Sequence, residues 1–194
     1  MREVAVLFAR ADSIYKTLLG CDVWDAERDA RLWPGGAPGV YHPPCRGWGR
    51  MRGFAIKVRP DEKALALWSV KMLRKYGGVL EHPAHSTLWE AAGLPKPMEF
   101  LDEWGGGTVE IKQFNWGHRA EKKTWLYICG LNLAGWAALD FPKRPGKPIH
   151  CIRPTKSYPR MPSVTKPERE KTPPALAEWL VELARRTTKP TRTP

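Results

Sequence analysis

The residues best suited to chemistry lie in His42-Pro43-Pro44-Cys45-Arg46-Gly47-Trp48-Gly49 and, further along, in Glu81-His82-Pro83. Cys45 follows a β-type run, Gly39-Val40-Tyr41, and two prolines that lack the amide donor a paired strand needs, so the chain must turn just before the thiol. Such turns past strand ends are where α/β folds place chemistry. Arg46 and Arg50 nearby predict a stabilised thiolate, the nucleophilic form of cysteine. A buried, inert cysteine fits the same residues, because free cysteine is among the most buried residue types. Glu81 also ends a short strand that stops at proline; it either shares the crevice of Cys45 or is a solvated strand-end charge. A third group is Asn115-Trp116-Gly117-His118-Arg119-Ala120-Glu121-Lys122-Lys123. It mixes aromatics with cations, the combination that stacks bases and pairs phosphates, although a solvated hairpin loop has the same composition. His42-x-x-Cys45, His82-x-x-His85 and His150-Cys151 carry enough nitrogen and sulfur for zinc, but not at finger spacings, and the expectation is no metal.

The elements that must position these groups read as a mainly parallel, doubly wound α/β sheet in a single domain. Val4 to Ala9 is a continuous apolar run suited to a strand buried on both faces. A short helix from Asp12 or Ser13 to Leu19, stopped by Gly20, and a second strand over Cys21 to Asp25 complete a β-α-β opening. In that arrangement a carboxylate at the end of the second strand often holds a ribose hydroxyl, and Asp25 is so placed; a solvated loop acid is the alternative. After the Pro34–Gly39 connector and the Cys45 loop, Leu65, Trp68, Met72 and Leu73 recur at helical spacing between Asp61 and Gly77. Strands are expected over 79–83, 109–114 and 124–129. Loops are expected over 86–107, with a lid as one use, and a proline-rich basic wrap over 140–174. A closing helix runs from Ala175 to Arg186. Residues 1–160 form the catalytic-like domain, and the segment 161–194 packs its helix back on it.

Thirty-two Lys and Arg against 20 Asp and Glu leave a formal charge of +12, which argues for an anionic partner such as DNA or nucleotide phosphates. Ten tryptophans are many for 194 residues and suggest exposed stacking surfaces as well as a core. Cys21, Cys45, Cys129 and Cys151 form no disulfide framework and read as reduced. With no long apolar run and no signal segment, the expectation is a cytoplasmic protein without a membrane partner.

The order of these motifs resembles the DNA cytosine methyltransferases that act at carbon 5, with the nearest likeness to compact phage and prophage forms. A Leu7-Phe8-Ala9 strand, the strand-end Asp25, the Pro44-Cys45 loop, the strand ending in Glu81, and the run Gln113 to Arg119 carry the likeness. It implies a methyl transfer from S-adenosylmethionine to a flipped cytosine. Cys45 would be the nucleophile, Glu81 the acid at the base, and Arg119 a supporting catalytic cation. Phe8, Asp25 and Pro44 would touch the cofactor. Arg46, Trp48, Arg50, Gln113, Trp116, His118 and Lys123 would hold the nucleic acid. The chain departs from the family where Arg10 replaces a glycine after the first strand, and where about sixteen residues separate Asp25 from His42. A non-catalytic DNA-binding protein of the same fold, or an enzyme using another one-carbon donor, remains an alternative.

Overall fold

The computed structural model describes residues 2–55, 58–150 and 162–192. Four strands, β1 (Val4–Leu7), β2 (Cys21–Trp24), β3 (Gly39–Tyr41) and β4 (Gly78–Pro83), pair in parallel. β5 (Gly107–Lys112) and β6 (Lys123–Cys129) complete a single sheet in the order β2-β1-β3-β4-β6-β5, with β6 antiparallel to both of its neighbours. The fold is therefore α/β with a mixed, mostly parallel sheet.

Both sheet faces are covered, which is why β1 has no polar residue. Val4 and Val6 point into one core layer, while Ala5 and Leu7 point into the other. Alternation with period two forces that division. The helices in chain order are α1 (Glu62–Tyr76), α2 (Leu88–Ala91), α3 (Leu133–Ala137), α4 (Lys166–Glu170) and α5 (Pro174–Arg186). α5 lays Leu176, Leu180 and Leu183 on the Val4 face, and α1 lays Ala66, Val70 and Leu73 on the Leu7 face. Proline at the first turn of α5 suits a helix start, where its missing N–H has no intrahelical partner to lose.

Several elements differ from the sequence expectation, among them the short helices α3 and α4, the latter inside the segment expected as an irregular wrap. The segment after β1 forms only a 3-10 turn, Ile14–Thr17, because Ser13 makes no side-chain cap and the chain must already pair Cys21 with Val4. The strand expected to reach Phe114 ends at Lys112, and Gln113–Trp116 winds into a second 3-10 turn that buries the Gln113 side chain. The supposed loop 86–107 contains α2, whose Trp89 is buried and donates its indole N–H to Thr108 Oγ1 at 2.9 Å, so this part is anchored rather than lid-like. Residues 151–161 of the expected proline-rich wrap, with Cys151, lie outside the described residues. Among the described residues no helix is long and apolar enough to cross a membrane, and Cys21, Cys45 and Cys129 are free thiols.

Parallel pairing of β3 with β4 begins at Gly39 and Gly78. Gly78 adopts φ +126°, and a Cβ there would lie 2.0 Å from the Gly39 carbonyl oxygen. Because that obstacle is backbone, Gly78→Ala is expected to lower stability by about 2 kcal/mol or more. Urea unfolding measures it, and an unchanged midpoint would show that the two strands do not meet there.

Candidate active site at the carboxyl ends of the parallel strands

The register of β3 against β4 does the first work of assembly. Val40 lies opposite Val79 and Tyr41 opposite Leu80, so the next step sets His42 beside Glu81. Period two sends both toward the face lined by Val40 and Val79. His42 Nδ1 lies 3.2 Å from Glu81 Oε2, and its Nε2 lies 2.9 Å from the hydroxyl of Tyr15, in the 3-10 turn after β1. In the neutral ring Nδ1–H donates to Glu81 and the tyrosine hydroxyl donates to Nε2.

Glu81 Oε1 accepts from Gln113 Nε2 at 3.0 Å, and the same amide nitrogen donates to Thr124 Oγ1 at 3.0 Å. Thr124 spends its own hydrogen on the Lys122 carbonyl at 3.2 Å, so its oxygen faces Gln113 as an acceptor and fixes the amide orientation. Both carboxylate oxygens of Glu81 are thus held, with 16% of the side chain exposed. Burial by itself would raise the Glu81 pKa. The hydrogen bond from His42 and the positive charge of Lys122 overcome that and hold it at about 2.

Cys45 is half-buried, and its carbonyl accepts from the amides of Trp48 and Gly49 at 3.1 and 2.8 Å. This tight turn is tied to the exit of β4, because the Trp48 carbonyl accepts from the Thr87 amide and hydroxyl at 3.0 and 3.1 Å. The thiol differs from the sequence expectation. Its pKa is raised, first by burial and then by the Glu81 charge, against a downward pull from Lys122. Arg46 does not supply the expected stabilisation because it pairs with the buried carboxylate of Glu62, and Arg50 is an exposed side chain farther along the loop.

Cys45, His42 and Glu81 line one open cleft of about 1910 Å³, which also takes in Pro44, Trp116 and Lys122. Lys and Arg lining it outnumber carboxylates two to one. Three non-glycine residues with positive φ border it: Phe8 (+62°) just past β1, His85 (+61°) past β4, and Lys122 (+40°) before β6. Strained backbone of this kind persists only where surrounding structure enforces it, and it clusters at functional sites.

The other expected site residues divide by position. Arg46, Arg50, Arg119 and Lys123 are exposed on the cleft rim, Arg119 pairing with Glu168 of α4 at 3.3 Å. Gln113 is buried beneath Glu81 and acts on the carboxylate. Trp48 and Trp116 are core residues at 7% and 5% exposure, the latter edge-on to Trp179, and neither offers a free stacking face. His118 is buried and receives the Ala120 amide on Nδ1 at 2.9 Å. Phe8 packs edge-on against Trp68. Asp25 lies apart from the Cys45 cleft and its carboxylate is taken by Lys16 at 2.6 Å and by the amides of Glu27 and Arg28. For zinc, His82 is sealed against Trp89 while His85 packs at a tilt against Trp125, and among the described residues no three potential ligands converge.

The chain matches no protein-family model, no curated protein and no solved structure.

Sequence reasoning missed Tyr15 and Thr124 as parts of the site, and it did not single out Met51 or Phe54. Met51 and Phe54 stand on the cleft rim, Met51 between the exposed Arg50 and Arg52 and Phe54, 80% exposed, two residues beyond Arg52. A methionine and a phenylalanine interspersed with arginines were visible as a pattern.

His82 gives a pH prediction. Burial lowers its pKa to about 4 from 6.5, against the attraction of Glu81. Between those values the unfolded chain binds the proton and the folded chain does not, so stability is present above about 6.5 and lost as pH falls toward about 4, by on the order of 3 kcal/mol. Glu81 adds a second loss as pH falls from 4.5 toward about 2. Urea unfolding from pH 7.5 to 4 should show the first loss in the parent protein and a flattened dependence in His82→Leu. An equal slope in both would remove His82 as its cause.

Proposed function

We propose that the cleft captures a pyrimidine base of DNA covalently. Cys45 Sγ adds to ring carbon 6 and Glu81 engages ring nitrogen 3, which makes carbon 5 an electron-rich enamine. The observation that carries this reading is convergence: the Pro-Cys loop and the strand-end glutamate, far apart in the chain, line one basic cleft, and the glutamine bonds that glutamate from beneath. These are the residues that the resemblance to carbon-5 cytosine methyltransferases assigns to handling the base, and a doubly wound, Rossmann-like arrangement of the sheet is part of the same proposal.

Size and charge support a polymeric ligand. A cleft of about 1910 Å³ exceeds the roughly 300–1,000 Å³ of ordinary small-molecule pockets, and its cationic rim suits phosphates. A base must leave the duplex to reach Cys45, at a cost of a few kcal/mol. Exposed Met51 and Phe54 are side chains of the kind that fill or pry a base step, with Arg50 and Arg52 beside them for phosphates. The thiol rests protonated, so Lys122 is the cation positioned to favour the thiolate once the base displaces water.

The residues at the end of β1 do not fit S-adenosylmethionine. Where a glycine turn would let the cofactor approach the backbone, Phe8 packs on Trp68, and Arg10 pairs with Asp12 at 2.8 Å and Glu170 at 3.1 Å. Asp25, the ribose-binding candidate, is already engaged by Lys16 and backbone amides. No step is routed through that cofactor. The same observations, with the raised Cys45 pKa, favour a second reading: a DNA-binding protein that grips an extruded base without turning it over.

An oligonucleotide containing 5-azacytosine distinguishes the two, because its ring nitrogen 5 takes a proton after attack and needs no methyl donor. The parent protein is expected to give a complex that survives denaturation. Cys45→Ser should give none, and Glu81→Gln should slow formation by about 100-fold or more with DNA affinity little changed. Arg119→Ala and Lys123→Ala should each weaken DNA binding and reduce its salt dependence. Salt-dependent binding without any adduct leaves the binding reading alone; no DNA binding at low salt ends both.

A further inference from the structure

We infer that His42 is a positioning residue that supplies, through Glu81, the proton taken up by ring nitrogen 3 of a captured cytosine. The inference rests on the proposed base capture and assigns it a substrate preference.

Its geometric basis is the continuous chain from Tyr15 through His42 to Glu81. Tyr15 is buried, the imidazole is its neighbour at 2.9 Å, and the carboxylate lies 3.2 Å beyond. The rings of Tyr15 and His42 are 5.4 Å apart, so the imidazole is held on both sides. Glu81 also takes the Gln113 amide on its other oxygen. Gln113 has no proton to transfer, and burial drives the Tyr15 pKa well above 10, which leaves the imidazole as the one acid in contact with Glu81 among the described residues. Facing the imidazole or its partner are Tyr15 from the turn after β1, Glu81 and His82 from β4, and the charge of Lys122 just before β6. Cys45 lies on the same loop as His42, and Glu170 of α4 acts on Cys45.

A Glu81 held as carboxylate at about 2 cannot itself be the resting acid. Cytosine presents a lone pair at nitrogen 3, which a carboxylate repels; uracil presents an N–H there, which a carboxylate accepts. For cytosine the step balances as follows. The Cys45 thiol gives its proton to water in the open cleft, the thiolate forms the S–C6 bond, the C5–C6 π pair moves to C4–C5, and the C4–N3 π pair becomes a lone pair on N3. N3 takes a proton from the Glu81 carboxyl, Glu81 takes the Nδ1 proton of the His42 imidazolium, and His42 is left neutral with its Nε2–H toward the Tyr15 oxygen. For uracil the electron pair ends on oxygen 4 and N3 keeps its own hydrogen. That base needs no proton from His42.

Exchange of the carbon-5 hydrogen with solvent reads the capture without any group donor, because the enamine picks up a solvent proton at carbon 5 before the thiol leaves. Single-stranded oligonucleotides carrying one tritiated cytosine or one tritiated uracil are the probes. In His42→Asn the amide N–H still holds Glu81 but offers no acid. The expected result is a loss of about 100-fold in cytosine exchange with uracil exchange changed little. Tyr15→Phe, which leaves His42 in place without its outer partner, should lower cytosine exchange alone by a smaller factor. Equal loss for both bases in His42→Asn would reduce His42 to a structural prop and overturn the inference, as would parent-level exchange of both. If the parent protein exchanges neither base, the capture reading itself fails, an outcome distinct from failure of the variants.

Discussion

A carboxylate nearly removed from water must be compensated, and the sheet's end is built around that demand. Glu81 sits where β4 leaves the core, and burial alone would favour its neutral form. Residues from four places in the chain meet the demand together: His42 just past β3, Gln113 from the turn after β5, Thr124 from β6 behind Gln113, and Lys122 by its charge. Removing any one leaves the others partly unsatisfied, which costs more inside a protein than at its surface. The 3-10 turn at Gln113–Trp116 follows from this, since a continued strand would carry the amide away from the carboxylate.

The same network ties local strain to the cleft. Phe8, His85 and Lys122 take positive φ within the lining, and each stands where the chain passes between the sheet and a loop. The chain reverses at β6, so Lys122 enters the site from the side opposite the parallel strands. That reversal puts a cation next to Cys45 and Glu81 that the parallel strands do not provide. The loop cations Arg46 and Arg119 are drawn instead to Glu62 and Glu168. Charge near the thiol is therefore decided by pairing geometry and not by closeness in sequence.

Much of the framework was legible from local pattern. Apolar runs marked β1 and β6, proline stops marked the ends of β3 and β4, and helical spacing marked α1 and α5, because strand and helix periods are written in a few consecutive residues. The Pro44-Cys45 loop and the strand-end Glu81 could be singled out for the same reason. Register is different, since it depends on which residues face each other across chains of contacts far apart in sequence. Only the pairing of Val40 with Val79 sets His42 against Glu81, and only the fold buries Trp48 and Trp116, which as isolated tryptophans suit a binding surface equally well. Composition determined a basic α/β chain with a thiol and a carboxylate at strand ends. Tertiary structure decided which cation, which histidine and which hydroxyl reach them, because electrostatic effects act through space over a few ångströms and spacing along the chain does not encode that distance.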